Sequence, residues 1–457
     1  MKRLAAVVSV AAFAAGVAVA ALGQSAGLHR PLVLREAAST SPLLGLRYGR
    51  RQPWLVRLDP ATLKARAGRR LGLAEFSGGW TYSPDRTQLA FGNRGGNVLA
   101  WPPARVRLVD ARTLRTVRKV PLGIRGEVPY LHWTAPDRLL VLLRNGEDPG
   151  DGGPPLLTNS VVVLDPVTGA VRASGEVEGS VTALATADHA LVLVLAGKGY
   201  GPVRLAVGDD NGKLASVTLD RIEAGVRGLS GDVLREERPT VAVDRAGGRA
   251  YVVAPAGNLV AEVDLATLAV DYHAPAQPAS LFGRLHDWLE PPARAKGPLE
   301  GNWRSAVWLG DGRLAVFGRD ASTYSTDDGL QVRQGPSGLV VIDTRSWASH
   351  VVDPRSSSLV IANDALFSWG WGWDSGTRRE TGAGLNVYDK SGLRRLHLFG
   401  ARVVYDVQVV GRRAFVRTRN LYGRYASVDI RTGRQIRTIG GDELPIVLSS
   451  AAAPFYG

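Results

Sequence analysis

The sequence predicts an all-β chain: a β-propeller of eight four-stranded blades, with seven as the alternative, closed by pairing strands from its two ends. Three observations lead there. An aspartate-turn hairpin recurs along the chain, a second strand–turn–strand signal precedes most copies of it, and few stretches sustain a helical period.

The hairpins come first because their chemistry is local. "LVRLDPATLKA" begins at Leu55, "VRLVDARTLRT" at Val106, "VVVLDPVTGAV" at Val161, "VAEVDLATLAV" at Val260 and "ASVDIRTGRQI" at Ala426. Each is an apolar strand ending in Asp, with Thr three residues on. The pairs are Asp59 and Thr62, Asp110 and Thr113, Asp165 and Thr168, Asp264 and Thr267, and Asp429 and Thr432. "LVVIDTRSWAS" varies the pattern with Asp343 and Ser346; Asp389 and Asp209 keep the aspartate before a shifted turn. An Asp carboxylate accepts backbone N–H groups of the turn that follows, and Thr does so more weakly. Asp-x-x-Thr therefore marks a tight hairpin, and these eight aspartates read as structural.

The second signal supplies two more strands per unit. Its copies include "WTYSPDRTQLAFG" from Trp80, "LHWTAPDRLLVLL" from Leu131, "TVAVDRAGGRAYVV" from Thr240 and "AVWLGDGRLAVFG" from Ala306. Joined to the hairpin, each unit has strands A, B, C and D. Seven complete units run from about Phe76 to Gly441. Residues 42–72 lack an A strand, and "PIVLSS" at 445–450 is the expected replacement. Two chain ends sharing one blade would leave no open edge. Four-stranded units repeated in this way describe a propeller. With "SPDRTQLAF" and "VVVLDPVTGAV" as the matching elements, the chain resembles the YVTN-type, quinoprotein-like propeller superfamily over most of its length. The resemblance implies a fold that many unrelated functions share.

The ends and composition set the setting. Residues 1–27 carry Lys2 and Arg3, then an uncharged apolar run from Leu4 to Leu22, then small residues. This is the pattern of a secretory signal peptide, with an uncleaved anchor as the alternative. Residues 28–40 read as a linker and 41–457 as one propeller domain, exported and extracellular or associated with the cell envelope, with no transmembrane domain after signal cleavage. With no Cys, the fold must be held by its core, which 457 residues at 45% hydrophobic content allow. The net charge of +14 comes mainly from scattered Arg; only seven residues are Lys. A GC-rich genome that favours Arg codons accounts for that composition, and an anionic cell-envelope polymer or lipid surface is the functional reading. Nucleic acid is not expected for an exported chain.

The loops divide unequally between the two faces of such a ring. A–B and C–D turns are tight. Long B–C loops are expected at 92–104, 145–158, 318–337, 374–384 and 418–424, and D–A insertions at 223–238 and 275–304. All fall on one face, where a site is expected. Within the second insertion, "SLFGRLHDWLEPP" has the spacing of a short amphipathic helix ending at Pro291.

"ALFSWGWGW" reads as a B strand in which Phe367, Trp369, Trp371 and Trp373 share one side and Gly370 and Gly372 the other. Trp369 and Trp371 are expected to pack between blades. Trp373 ends the strand on the long-loop face beside Asp374, Arg378 and Arg379, a grouping suited to a sugar or an acidic ligand. Trp303, Arg304, Asp320, Arg238 and Tyr422, with Trp101, are further candidates on that face. The acidic loop with Glu147, Asp148 and Asp151 lacks the spacing of a calcium loop.

Catalytic signals are poor. The seven His residues form no HxxxH pair, and "GQSAG" at 23–27 matches a nucleophile pattern in the wrong context. No catalytic residue, metal or cofactor is expected. Two functions follow: a non-catalytic propeller that binds or scaffolds a partner protein or an anionic or glycan cell-envelope ligand through the long-loop face, or a propeller enzyme of the lactonase, lyase or quinone-dependent dehydrogenase type. Against the last, the units "DPVTGAVRA" and "DIRTGRQIR" lack the Trp that the dehydrogenases carry after this turn, and their adjacent-Cys pair is missing.

Overall fold

A computed structural model describes residues 33–34, 43–47, 54–70, 79–93, 101–147, 156–228, 234–276, 300–326, 329–418, 424–440 and 446–448. All the regular structure among them is β, arranged as a propeller. Among the described residues no helix is long and apolar enough to cross a membrane. The signal segment, the amphipathic stretch at 281–289 and Tyr422 lie outside the described residues.

Each turn aspartate does what its sequence context demands. Asp59 Oδ1 accepts from the Ala61 and Thr62 N–H groups, each at 2.9 Å, and from the Thr62 hydroxyl at 3.0 Å. Asp264 and Asp429 repeat this set of three bonds, and Asp343 repeats it with Ser346. The next residue must turn left-handed to close the hairpin: Leu63, Leu114, Leu268 and Trp347 do so with φ of 52° to 60°, and glycines 169 and 433 fill the same place.

Among the described residues there are five separate four-stranded sheets. One comprises Trp80–Tyr82, Gln88–Gly92, Pro103–Asp110 and Thr116–Arg125; the next comprises Glu127–Ala135, Arg138–Glu147, Leu156–Leu164 and Val171–Glu178. A third runs Thr240–Asp244, Arg249–Val253, Val260–Asp264 and Val270–His273, and a fourth Val404–Val410, Arg413–Thr418, Arg424–Asp429 and Gln435–Gly440. In the fifth, the C-terminal strand Ile446–Leu448 pairs antiparallel with Leu44–Arg47, followed by Trp54–Leu58 and Ala65–Arg70. The register of that pairing is Leu44↔Leu448 and Leu46↔Ile446.

The remaining strands form one fifteen-stranded sheet. It contains three antiparallel runs of four: Ser180–Thr186 to Leu214–Gly228; Glu300–Gly310, Arg313–Thr326, Leu339–Asp343 and Ser349–Asp353; and Ser358–Ala362 to Arg394–Leu398. Two extra strands, Leu234–Arg238 and Gly329–Pro336, join these runs. Val33–Leu34, in the expected linker, lies parallel to Ser358–Ala362.

The core lies between four-stranded units rather than inside any one of them. Leu44, Leu55, Trp80 and Phe91 form one buried cluster across two neighbouring units; Val56 and Leu63 pack with Phe415 and Tyr425 in another. Each unit buries both faces, so its B and C strands read as nearly continuous apolar runs, as in Ala190–Ala196, buried throughout.

Deleting residues 443–457 removes Val447 and Leu448, which are 6% and 0% exposed, and bares the edge of Leu44–Arg47. Aggregation or a large drop in melting temperature is expected; a soluble truncation that melts with the parent would show that this strand is dispensable.

Candidate functional site

Three of the expected long loops are β-structure instead. Residues 223–228 end the strand Leu214–Gly228, which pairs with the strand Leu234–Arg238; 319–326 pair with 329–336; and 375–378 are a tight turn between the long strands Ala365–Asp374 and Arg379–Asp389. The reason is physical: backbone groups projecting beyond a blade find partners in the next projecting segment, which satisfies them better than an irregular path would. β-Branched and aromatic residues in "ASTYST" suit the extended conformation.

These projections join edge to edge into one continuous platform. Arg238 lies opposite Trp303, Trp303 opposite Arg319, and Arg319 opposite Pro336. Two residues along, Ala321 faces Gln334, Gln334 faces Trp373, and Trp373 faces Glu380. Arg238, Trp303, Arg304, Asp320, Trp373, Asp374 and Arg379 therefore share one sheet, although they come from separate units, and Arg378 lies on a turn between two of its strands; Trp101 stands apart from it.

Most of their charge is used within the sheet. Arg304, its side chain 9% exposed, donates to Asp320 at 2.6 Å and to the Arg319 carbonyl at 3.1 Å. With the Asn302 amide oriented to satisfy both neighbours, its nitrogen donates to Asp320 at 2.9 Å and its oxygen accepts from Arg235 at 3.0 Å. Arg235 also pairs with Glu237 at 2.7 Å, and Glu237 accepts from the Tyr200 hydroxyl at 3.2 Å. Burial, and then the Glu237 charge, push the Tyr200 hydroxyl up to about 12. Glu236 accepts from Arg238 at 2.8 Å and from the Trp303 indole N–H at 3.2 Å. Trp101, half-buried, donates its indole N–H to the Gly146 carbonyl at 2.8 Å.

Asp374 is the lock between the second and third runs. It accepts from the Tyr324 hydroxyl, from the Arg333 Nε at 3.1 Å and from the Thr377 N–H at 3.0 Å. The Tyr324 bond, ahead of the Thr377 and Arg333 contacts, holds its carboxyl well below the usual carboxylate range. Arg333 in turn covers the Tyr324 ring at 5.0 Å, and Ser375 bonds Val332 through both its N–H and its hydroxyl. Arg378, with φ of 51°, stands exposed on the turn beyond, and Arg379 stands exposed at the start of the next strand. Among the described residues neither forms an ion pair with a carboxylate.

The tryptophans separate by neighbour. Trp369 is 1% exposed and packs with Val404, Val407 and Val409 of the next unit, as expected. Trp371 is half-buried, and its ring lies beneath the Arg319 guanidinium of the preceding unit at 5.0 Å. Burial lowers the Arg319 pKa to about 10, so it stays charged at neutral pH. The glycines permit close approach. A Cβ on Gly370 would collide with the Arg355 carbonyl, and one on Gly372 would come within 2.9 Å of the Gln334 carbonyl. Sequence reasoning missed Glu236, Arg319, Tyr324 and Arg333; each lies in a segment read as loop, and an alternation count there was the available signal.

One other polar network invites a catalytic reading. Buried Asp353 accepts from the Ser368 hydroxyl at 2.7 Å and the Asn386 amide at 2.9 Å, and Asn386 contacts His397 at 2.8 Å. The serine and the carboxylate are both buried, and the network ties together four strands from two successive runs. No cluster of three metal-ligating side chains occurs among the described residues. A groove of about 640 Å³ runs between Leu398–Arg402 and Val428, Gly433 and Gln435; no expected site residue lines it.

No family model matches the chain, and no curated protein does. Among solved structures it is similar to a dihydro-heme d1 dehydrogenase, NirN, in complex with DHE: TM-score 0.51 and 15% identity, covering 94% of this chain and 78% of that one. It is also similar to apo AztD from Citrobacter koseri, with TM-score 0.45 and 12% identity over 89% of this chain and 96% of that one. A periplasmic gluconolactonase, PpgL, from Pseudomonas aeruginosa gives TM-score 0.39 and 12% identity over 89% and 97%. At such identities the likeness is one of fold: the chain is a β-propeller resembling the quinoprotein-like, YVTN-type repeat proteins.

Two outcomes test this geometry. Trp369→Ala should cost about 3–5 kcal/mol, as expected for emptying a buried aromatic site, and Trp373→Ala much less, measured by urea denaturation. Asp374→Asn should lower the melting temperature at neutral pH. Because the folded-state pKa of Asp374 is depressed, its contribution is full above about pH 4 and declines as pH falls below that, so parent and variant should converge in acid. A difference that does not change with pH would assign the effect to shape rather than charge.

Proposed function

We propose that this chain is an exported, non-catalytic propeller that binds or scaffolds a partner protein or an anionic cell-envelope ligand through the platform face. The observation that carries the reading is the Trp373 corner. Asp374 is consumed by Tyr324, Arg333 and Thr377, so it cannot neutralise Arg378 and Arg379, which point outward beside a half-buried indole. Outward guanidinium groups next to an aromatic ring suit a carboxylate or phosphate carried on a sugar or a peptide. Arg304, Asp320, Arg238 and Trp303 support this corner by stiffening the sheet behind it, because their polar groups bond one another.

The blade count belongs to the same reading. Counting the three four-stranded runs of the large sheet as blades gives eight, and the Leu44↔Leu448 pairing with the Leu63–Phe415 contact supports a ring closed between its ends. Export rests on the residue pattern at 1–27. Mature protein from the native host should begin between about Ala21 and Leu28; an intact Met1 in the membrane fraction would make the segment an anchor.

Binding is tested by thermal shift with short acidic peptides and peptidoglycan fragments. A ligand of the platform face should raise the melting point of the parent and not that of Trp373→Ala/Arg378→Ala. Equal shifts in both would move the site elsewhere. Hydrolysis of a lactone by the parent, lost in the double variant, would replace binding with catalysis.

A further inference from the structure

Net charge is not spread evenly around the outer strands. In the four consecutive units built on residues 358–440, 44–70 and 80–125, the stretches from turn aspartate to the end of the D strand read "DKSGLRRLHL", "DIRTGRQIRTIG", "DPATLKARAGRR" and "DARTLRTVRKVPLGIR". They hold fifteen Lys and Arg against four Asp. The corresponding stretches of the other four units, 165–178, 209–228, 264–273 and 343–353, hold five Lys and Arg against eleven Asp and Glu. The basic stretches are neighbours in space as well as in order: buried clusters join Trp369 to Val407, Phe415 to Leu63, and Leu55 to Phe91 across the three successive junctions.

These positive charges face water. All fifteen side chains are exposed except Arg118, which is half-buried. The four acids are the turn aspartates, already occupied by their own backbone N–H groups. Arg66 and Arg395 pair with Asp59 and Asp389, and Lys390 pairs with Asp364 at 2.5 Å. Among the described residues no carboxylate pairs with Arg69, Lys119 or Arg434.

Protection of exposed sheet edges calls for charge on every D strand, of either sign. It does not account for basic residues gathered on one half of the rim and acidic ones on the other. Like charges so placed repel one another, and their field is strongest where an opposite charge can run alongside them. We infer that the basic half of the rim is a docking track for a flexible linear polyanion, a chain bearing repeated phosphate, sulfate or carboxylate groups. Curvature selects this partner over a membrane. Successive blades turn about the propeller axis, so the track is convex. A flat bilayer touches a convex track over little more than one blade, and beyond a Debye length of about 8 Å at physiological salt the rest is screened. A flexible chain can follow all four. This track is separate from the Trp373 corner.

The test uses the full chain with heparin as probe. Binding is expected to weaken steeply as salt rises, as it does when many ion contacts release counterions. Arg69→Glu/Lys119→Glu/Arg434→Glu reverses one exposed charge on each of three neighbouring D hairpins. Arg172→Glu/Lys213→Glu/Arg345→Glu makes the same change in net charge on the other half. The first triple variant should lose roughly tenfold or more in affinity at about 0.1 M salt, and the second no more than about threefold. Gln at the first three positions should give a smaller loss than Glu, with the parent's melting curve retained. Trp373→Ala/Arg378→Ala should bind heparin as the parent does, whatever its effect on ligands of the platform face. Equal losses in the two triple variants would reduce the effect to net charge and overturn the track. So would a parent that binds phosphatidylglycerol vesicles and not heparin.

Discussion

A four-stranded sheet has two broad faces, and in this chain neither can be left to water. Everything else follows from burying both against neighbouring units. With no disulfide to hold the chain, cohesion comes from apolar clusters that each span two units, so no unit is complete by itself. Apolar burial is roughly proportional to area. Repeating one interface from unit to unit multiplies a modest local gain without a large single core.

Function is then confined to what the packing leaves over: the two rims and the outer edges. On the platform rim, segments from separate units have paired with one another, and their charges compensate in pairs such as Arg304–Asp320 and Arg238–Glu236. Such pairs add little stability where solvent reaches them, but they fix the register of projecting strands. Under the proposed function, rigidity there is useful because Arg378 and Arg379 are long, flexible side chains. A stiff base lowers the entropy lost when they engage a ligand.

The hairpins were legible because their determinants sit within five residues of each other. Asp59 and Thr62 need nothing distant to make their turn. The all-β propeller class followed from counting those turns. The platform was not legible for the opposite reason. Gln334 meets Trp373, and Arg238 meets Trp303, only after separate segments have been brought together, and no local pattern announces such pairs. Trp371 shows the same limit. Strand alternation gives its side of the sheet, yet the guanidinium that covers it comes from another unit. Arg319, the donor of that contact, lies where a loop was expected, and nothing in its neighbours marks it as buried.

The pairing of Leu44–Arg47 with Ile446–Leu448 has a consequence for how the chain is made. Leu44–Arg47 lacks this partner until Ile446–Leu448 has been made. Its edge stays open for the whole time of elongation, and the slowest contact to form is the one of greatest sequence separation. Such a chain is poorly able to lock into its final state halfway through. That delay is a hazard in a crowded compartment, where an open strand edge recruits other chains. Under the proposed export it is an advantage, because the polypeptide must then pass unfolded through a narrow translocation pore and assemble only on the far side.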